Sequence, residues 1–149
     1  MRLWRLINPR HVPGLDGEGA RRIGGRWNSP GRPIVYTSDA PALAALELFI
    51  HLESDQRTLS GLPPLALVGI DIEDGLIAYR SDLPTEYADQ QRWGDAWLAQ
   101  GEALAVAVPS VVIRWEVNVL LNPRHPDMSK VRLVSTDPFN FDPRLVTPT

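Results

Sequence analysis

The chain has 149 residues, of which 44% are hydrophobic and 22% charged, with a formal net charge of −3. This size and composition fit one globular domain over residues 1–149 with a core of its own, and they exclude a disordered chain. The sequence contains no cysteine, which excludes disulfides, thiolate catalysis and thiolate metal sites, and the slight acidity argues against direct binding of nucleic acid or an anionic membrane.

In chain order, residues 3–7 read as a short strand. Residues 8–20, with Pro9, Pro13 and several glycines, read as loop. The stretch 24–31 is rich in turn residues. Residues 33–37 are β-branched and aromatic, which predicts a strand with Ile34 and Tyr36 on one face. A helix follows to about residue 52, with Ser38 or Asp39 as its cap and Pro41 in its first turn. Residues 55–64 read as loop, 65–72 as a strand and 77–79 as another. The stretch 87–100 reads as a helix with Trp93 and Trp97 one turn apart on a core face. Strands are expected at 103–108, 111–115, 117–121 and 131–134, and the proline-bearing tail 137–149 as an extended surface segment. Strands outnumber helices without regular alternation, so the fold class is α+β. The near-apolar runs at 40–52 and 103–113 are too short to cross a bilayer. No signal-like stretch precedes Pro9, and the expectation is a soluble cytoplasmic protein.

Glu47 is the most informative residue. On the helix 40–52 the apolar template falls on Leu43, Leu46 and Ile50, and Glu47 occupies the missing i+4 position. A carboxylate on an apolar helix face is costly unless it is paired or lines a cleft. An ion pair and a catalytic role are therefore both open. Arg26 follows Gly24-Gly25, where glycine permits positive φ and close approach, and its guanidinium could fork onto a pyrophosphate. A tight hairpin with a solvated arginine explains the same residues. Tyr36 could stack on a flat ring or sit in the core with its hydroxyl satisfied. Ser110, after Pro109, suits a turn in which its hydroxyl bonds the backbone. Asn118 and Asn122 each offer an amide. His51 lies one turn after Glu47. The histidines show no ligand spacing, so no metal is expected.

The ordered set Gly24-Gly25-Arg26-Trp27-Asn28-Ser29-Pro30-Gly31, Ile34-Val35-Tyr36-Thr37-Ser38, Ala42-Leu43-Ala44-Ala45-Leu46-Glu47-Leu48 and His51 closely resembles the RES domain. Val108-Pro109-Ser110, Asn118, Asn122-Pro123, His125-Pro126 and Phe141-Asp142-Pro143-Arg144-Leu145 extend the resemblance across nearly the whole chain. It implies an ADP-ribosyltransferase-like fold of two antiparallel sheets with flanking helices. It implies the toxin of a bacterial type II toxin–antitoxin pair, an enzyme that takes NAD as substrate. Such an enzyme cleaves the nicotinamide–ribose bond by hydrolysis or phosphorolysis, or transfers ADP-ribose to a protein. The implied partner is an Xre-type helix-turn-helix antitoxin covering the active site, around a toxin homodimer within a hetero-oligomer.

Carried over by position, the resemblance implies Arg26, Tyr36 and Glu47 as the catalytic residues. It implies Arg5, Arg26, Tyr36, Ser110 and Asn122 as the NAD-binding residues, with Ser29 and Ser38 as alternatives for the family serine. Two competing readings remain. One is a non-catalytic binding module with a Glu47–Arg26 ion pair. The other is a glycosidase or nucleosidase that pairs Glu47 with a second acid such as Asp71 or Asp95.

Overall fold

The computed structural model describes residues 1–148. Among them, seven strands form one sheet: β1 (Arg2–Ile7), β2 (Val35–Ser38), β3 (Leu65–Asp71), β4 (Ile77–Tyr79), β5 (Ala105–Pro109), β6 (Val117–Leu121) and β7 (Arg132–Phe139). Three α-helices accompany them: α1 (Glu18–Ile23), α2 (Pro41–Ile50) and α3 (Tyr87–Gln100). The strand order is β4-β5-β6-β2-β1-β3-β7, antiparallel except for the β4–β5 pair. The expected α+β class is observed, but the two expected sheets are joined into one. The joint is narrow, since β1 meets β2 through the register pair Trp4↔Ser38.

Strand alternation builds the core on both faces. On one face Leu3, Ile7, Val35, Val68, Ile70, Val119 and Leu121 pack together. On the other, Ile34, Val106, Val108 and Leu120 lie under Trp27 and Trp97. Trp93 stacks on Trp97 at 6.4 Å and meets Trp27 edge-on at 5.7 Å, so the tryptophan pair of α3 is core, as its spacing predicts.

Several expectations are corrected. The 8–20 loop yields α1, which starts where the Glu18 N–H donates to Asp16 Oδ1. Neither Ser38 nor Asp39 caps α2. Ala40 stands at the cap in extended conformation and Pro41 presets the first turn. The strand expected at 111–115 does not form, because the Val112 and Ile113 N–H groups donate to Ser110 Oγ at 3.1 and 3.0 Å and turn the chain.

The tail lies mostly at the surface, as expected, but it is anchored there by two buried side chains. Residues 137–139 complete β7, and Phe141 and Val146 are buried. Phe141 meets Phe49 edge-on at 5.2 Å. The backbone of Thr147 bonds Arg57 and Leu59, and Arg57 Nη2 donates to the Ile50 carbonyl at the end of α2. Thr149 lies outside the described residues. This tail gives Ala45, Leu48 and Phe49 an apolar partner. The buried side of α2 therefore rolls away from the predicted template, and Leu46 and Ile50 are 37% and 42% exposed.

Helix α3 packs against the 24–29 backbone at Gly94, where an added Cβ would lie 1.8 Å from the Trp27 carbonyl oxygen. Glycine costs a helix interior roughly 0.5–1 kcal/mol relative to alanine, so the close approach is what requires it. Gly94→Ala is expected to destabilise the protein by about 1–3 kcal/mol through overpacking. A lowered urea midpoint with an unchanged m-value would report it.

Candidate functional site

The Glu47 carboxylate is half-buried over the edge where β2 and β5 end and β6 begins. Its Oε1 accepts the Ser110 hydroxyl at 2.7 Å and the Asn118 amide Nδ2 at 2.6 Å. Hydrogen bonds to a charged acceptor are stronger than neutral ones, and two of them offset much of the desolvation of this oxygen. Ser110 spends its hydroxyl proton on Glu47 and accepts from two backbone N–H groups. The serine is therefore both the turn residue its position predicts and a donor fixed on the carboxylate. Of the alternatives, Ser29 bonds Asp95 and Ser38 bonds Asn118.

Register places Tyr36 on the same sheet face. Ser38 pairs with Asn118 and Tyr36 with Leu120, and residues opposite one another point the same way. Tyr36 and Ser38 thus stand about 7 Å apart along one strand. The Tyr36 hydroxyl donates to Asn28 Oδ1 at 2.7 Å and accepts the Trp27 N–H at 3.0 Å. Burial pushes this phenol well above its usual range, against the opposing pull of the Trp27 N–H and of Arg26. The hydroxyl is satisfied within the protein, so any contact with a ligand falls to the ring.

Arg26 lies in a tight hairpin closed by a Gly25↔Asn28 bridge. Gly24 has a φ of +78°, and at Gly25 a Cβ would fall 2.7 Å from the Tyr36 hydroxyl. Both uses of glycine inferred from sequence, positive φ and close approach, are therefore realised. Arg26 Nη1 donates to Gln90 Oε1 at 3.0 Å, and its guanidinium lies 5.1 Å from the centre of the Tyr87 ring. Gln91 donates to the Gly25 and Asn28 carbonyls, and Asp95 accepts the Ser29 N–H at 2.8 Å.

Tyr87, Gln90, Gln91, Gly94 and Asp95 form one stripe of α3 that grips the arginine hairpin. The sequence reading missed this stripe. Its signal was spacing: the five residues stand at i, i+3, i+4, i+7 and i+8, a helix face that is polar where it meets backbone.

Two expected ligand residues stand elsewhere. Arg5 follows Leu3 and precedes Ile7 on the strand face opposite that of Trp4 and Leu6, which α2 covers. Its Nε is buried without a partner, and burial pulls its pKa down to about 10, partly offset by Asp16. Asn122 is buried and structural. Its amide donates to the Leu98 carbonyl at 3.3 Å and accepts the Arg124 N–H at 3.1 Å. Asn118, four residues earlier and within β6, is the asparagine that reaches Glu47.

The competing readings lose their specific residues. Among the described residues no ion pair joins Glu47 and Arg26, Asp71 is paired with Arg2, and Asp95 is committed to Ser29 and Arg32. His51 is exposed at the end of α2. Among the described residues no cluster of three metal-binding side chains occurs, and no helix is long and apolar enough to cross a membrane. Two open hollows, of about 770 and 180 Å³, lie elsewhere on the surface. The larger is lined by Arg2, Asp71 and Arg132 among others, the smaller by Ile77, Glu102 and His125 among others; neither contains Glu47, Arg26 or Tyr36. Exposed apolar side chains lie near Glu47 in sequence on α2, Leu46 and Ile50, and near its donor Ser110 in the turn that follows it, Val111 and Trp115, 55% and 79% exposed.

The family model of the RES domain matches residues 2–142. The chain is similar to the protein named Toxin Res of Yersinia enterocolitica serotype O:8 / biotype 1B, with 36% identity over 156 residues covering 97% of this chain and 99% of that protein. It is similar to the Prs ADP-ribosylating toxin of Sphingobium sp. (strain YBL2), with 33% identity over 158 residues covering 96% of this chain and 95% of that protein. Among solved structures it resembles a chain of the M. tuberculosis MbcT–MbcA toxin–antitoxin complex, with a TM-score of 0.71, 20% identity, and coverage of 93% of this chain and 84% of that one. At that identity the likeness shows the fold.

Tyr36→Phe is expected to cost about 1–3 kcal/mol, because the Trp27 N–H and Asn28 Oδ1 each lose their partner in a protected site. Equilibrium unfolding in urea measures it. A variant as stable as the parent would show that water replaces the hydroxyl.

Proposed function

The chain belongs to the RES-domain family, and from that premise we propose that it is the toxin of a toxin–antitoxin pair that cleaves the nicotinamide–ribose bond of NAD. The observation that carries this reading is the Glu47 carboxylate. Both of its hydrogen bonds to Ser110 and Asn118 fall on Oε1, which leaves Oε2 for a ligand, on the sheet face it shares with Tyr36. The reading treats the domain as ADP-ribosyltransferase-like and acting in the cytoplasm.

Bond cleavage passes through an oxocarbenium-like state, as in glycoside chemistry. Nicotinamide leaves with the electron pair of the C–N bond and becomes neutral, so no general acid is required. Glu47 hydrogen-bonds a ribose hydroxyl and stabilises positive charge growing at the anomeric carbon. Arg26 forks onto the diphosphate, placed for this by Gln90 and Tyr87. The Tyr36 ring stacks against nicotinamide or its ribose. Ser110 acts through Glu47 and does not touch the sugar, because its hydroxyl is already committed.

The acceptor bonds the anomeric carbon; water or a protein hydroxyl passes its proton to Glu47 or to solvent, whereas a phosphate oxygen attacks as the anion with no proton to lose. Water gives ADP-ribose, phosphate gives its 1″-phosphate, and a protein side chain gives an ADP-ribosylated protein. The relative named as an ADP-ribosylating toxin supports the last as a second reading. The exposed Leu46, Ile50, Val111 and Trp115 suit a covering partner. We assign that place to an antitoxin of the Xre type, around a toxin homodimer.

Incubating antitoxin-free protein with NAD, with and without phosphate, and identifying the products by mass spectrometry tests the reading. Release of nicotinamide is expected. Undiminished NAD would overturn it. Glu47→Gln is expected to fold normally and to lower kcat about 10²–10³-fold, the cost of one transition-state electrostatic contact; a wild-type rate would remove Glu47 from the mechanism. Arg26→Lys replaces a fork by a point charge, and calorimetry is expected to show weaker NAD binding.

A further inference from the structure

The Glu47 carboxylate is held by an amide, and an amide has two ends. Asn118 presents Nδ2 to Glu47 Oε1 at 2.6 Å, while its Oδ1 accepts the Ser38 hydroxyl at 2.7 Å. The arrangement has one consistent solution. An ionised carboxylate only accepts hydrogen bonds, so the NH₂ end of Asn118 must face it. The oxygen end then faces Ser38, whose hydroxyl must donate. Ser38 is buried, so little water competes for that proton.

The three residues sit on rigid elements. Ser38 and Asn118 are directly paired across β2 and β6. The next pair along, Thr37 and Val119, is stitched by a bond from Thr37 Oγ1 to the Val119 carbonyl at 2.7 Å. Asp39 N–H donates to the Val117 carbonyl just beyond.

We propose that Ser38 and Asn118 form a positioning relay for the NAD-cleaving reaction, in which the Ser38 hydroxyl locks the Asn118 amide in the one orientation that holds the Glu47 carboxylate in place. The proposal rests on the catalytic role of Glu47. Neither residue touches the substrate. Without Ser38, the Asn118 side chain is free to turn its oxygen toward the carboxylate, and two acceptors repel. Glu47 then leaves its position while Arg26 and Tyr36, which bind through the other end of the face, are undisturbed. The relay thus acts on the chemical step and not on NAD capture.

The test is steady-state NAD consumption by antitoxin-free protein, with kcat and KM resolved and thermal unfolding measured in parallel, on N118A, N118D, S38A and the S38A/N118A pair. Asn118→Ala is expected to lower kcat about 10²-fold, the usual cost of a misplaced catalytic group, with KM within about twofold. Asn118→Asp keeps the volume but sets a carboxylate against Glu47, and it is expected to lose at least as much. Ser38→Ala loses one neutral hydrogen bond, so kcat falls roughly 3- to 10-fold. Because the serine acts only through the asparagine, the double variant is expected to be no slower than N118A.

N118D turning over at the wild-type rate would overturn the relay. So would S38A and N118A losses that multiply, or KM rising in step with the fall in kcat, because these mark a general packing role. If the wild-type protein itself leaves NAD intact, the failure belongs to the functional reading and not to the relay.

Discussion

One oxygen of one carboxylate organises this structure. Glu47 Oε1 collects a hydroxyl from the end of β5 and an amide from β6 while the side chain itself comes from α2. An acidic group in that setting is tolerable only if its donors stay in place, so the elements that carry them must stay fixed relative to one another. The far end of α2 is fastened by the tail: Arg57 takes the Ile50 carbonyl, and Phe141 packs on Phe49. The near end runs directly out of β2, whose last residue faces Asn118. The carboxylate is thereby set by a closed circuit of strand, helix and tail, and not by any one of them.

The arginine is held by a second device of the same kind. Its hairpin carries few apolar side chains, and its backbone carbonyls would be costly to cover without donors. Helix α3 supplies those donors from one polar stripe, and Gly94 removes the side chain that would keep the two apart. Arginine and glutamate are each met by an amide that is anchored at its other end, the buried Gln90 by the Pro84 carbonyl and the half-buried Asn118 by the Ser38 hydroxyl. Amides suit this task because a single anchoring bond decides which end faces the charge. The rigid strands beneath set the phenol ring and the carboxylate's donor on one face, and the gripped loop above brings the guanidinium near the phenol.

Much of this was legible along the chain. The periods of two and of 3.6 residues located the strands at 65–72, 77–79 and 117–121 and both long helices, because those segments pack where their local pattern points. The Gly-Gly-Arg hairpin, the tryptophan pair and the odd acid at Glu47 were each visible from local chemistry. The face that α2 buries was not. Its template pointed to Leu46 and Ile50, but the partner that decides the roll is Phe141, more than ninety residues away in sequence. The strand expected at 111–115 failed for a related reason: a serine hydroxyl took the backbone donors that a ladder would have used.

The sequence alone therefore determined most of the longer elements, the class of fold, the family and the residue types available for chemistry, since these follow from local patterning and from motif order. Only the tertiary structure decided which asparagine meets the glutamate, which serine is spent on it, and that Arg5 turns to the opposite face. Those outcomes depend on strand register, where a shift of one residue reverses every side chain. Register is set by pairing between segments as distant as Ser38 and Asn118, and no local pattern encodes it.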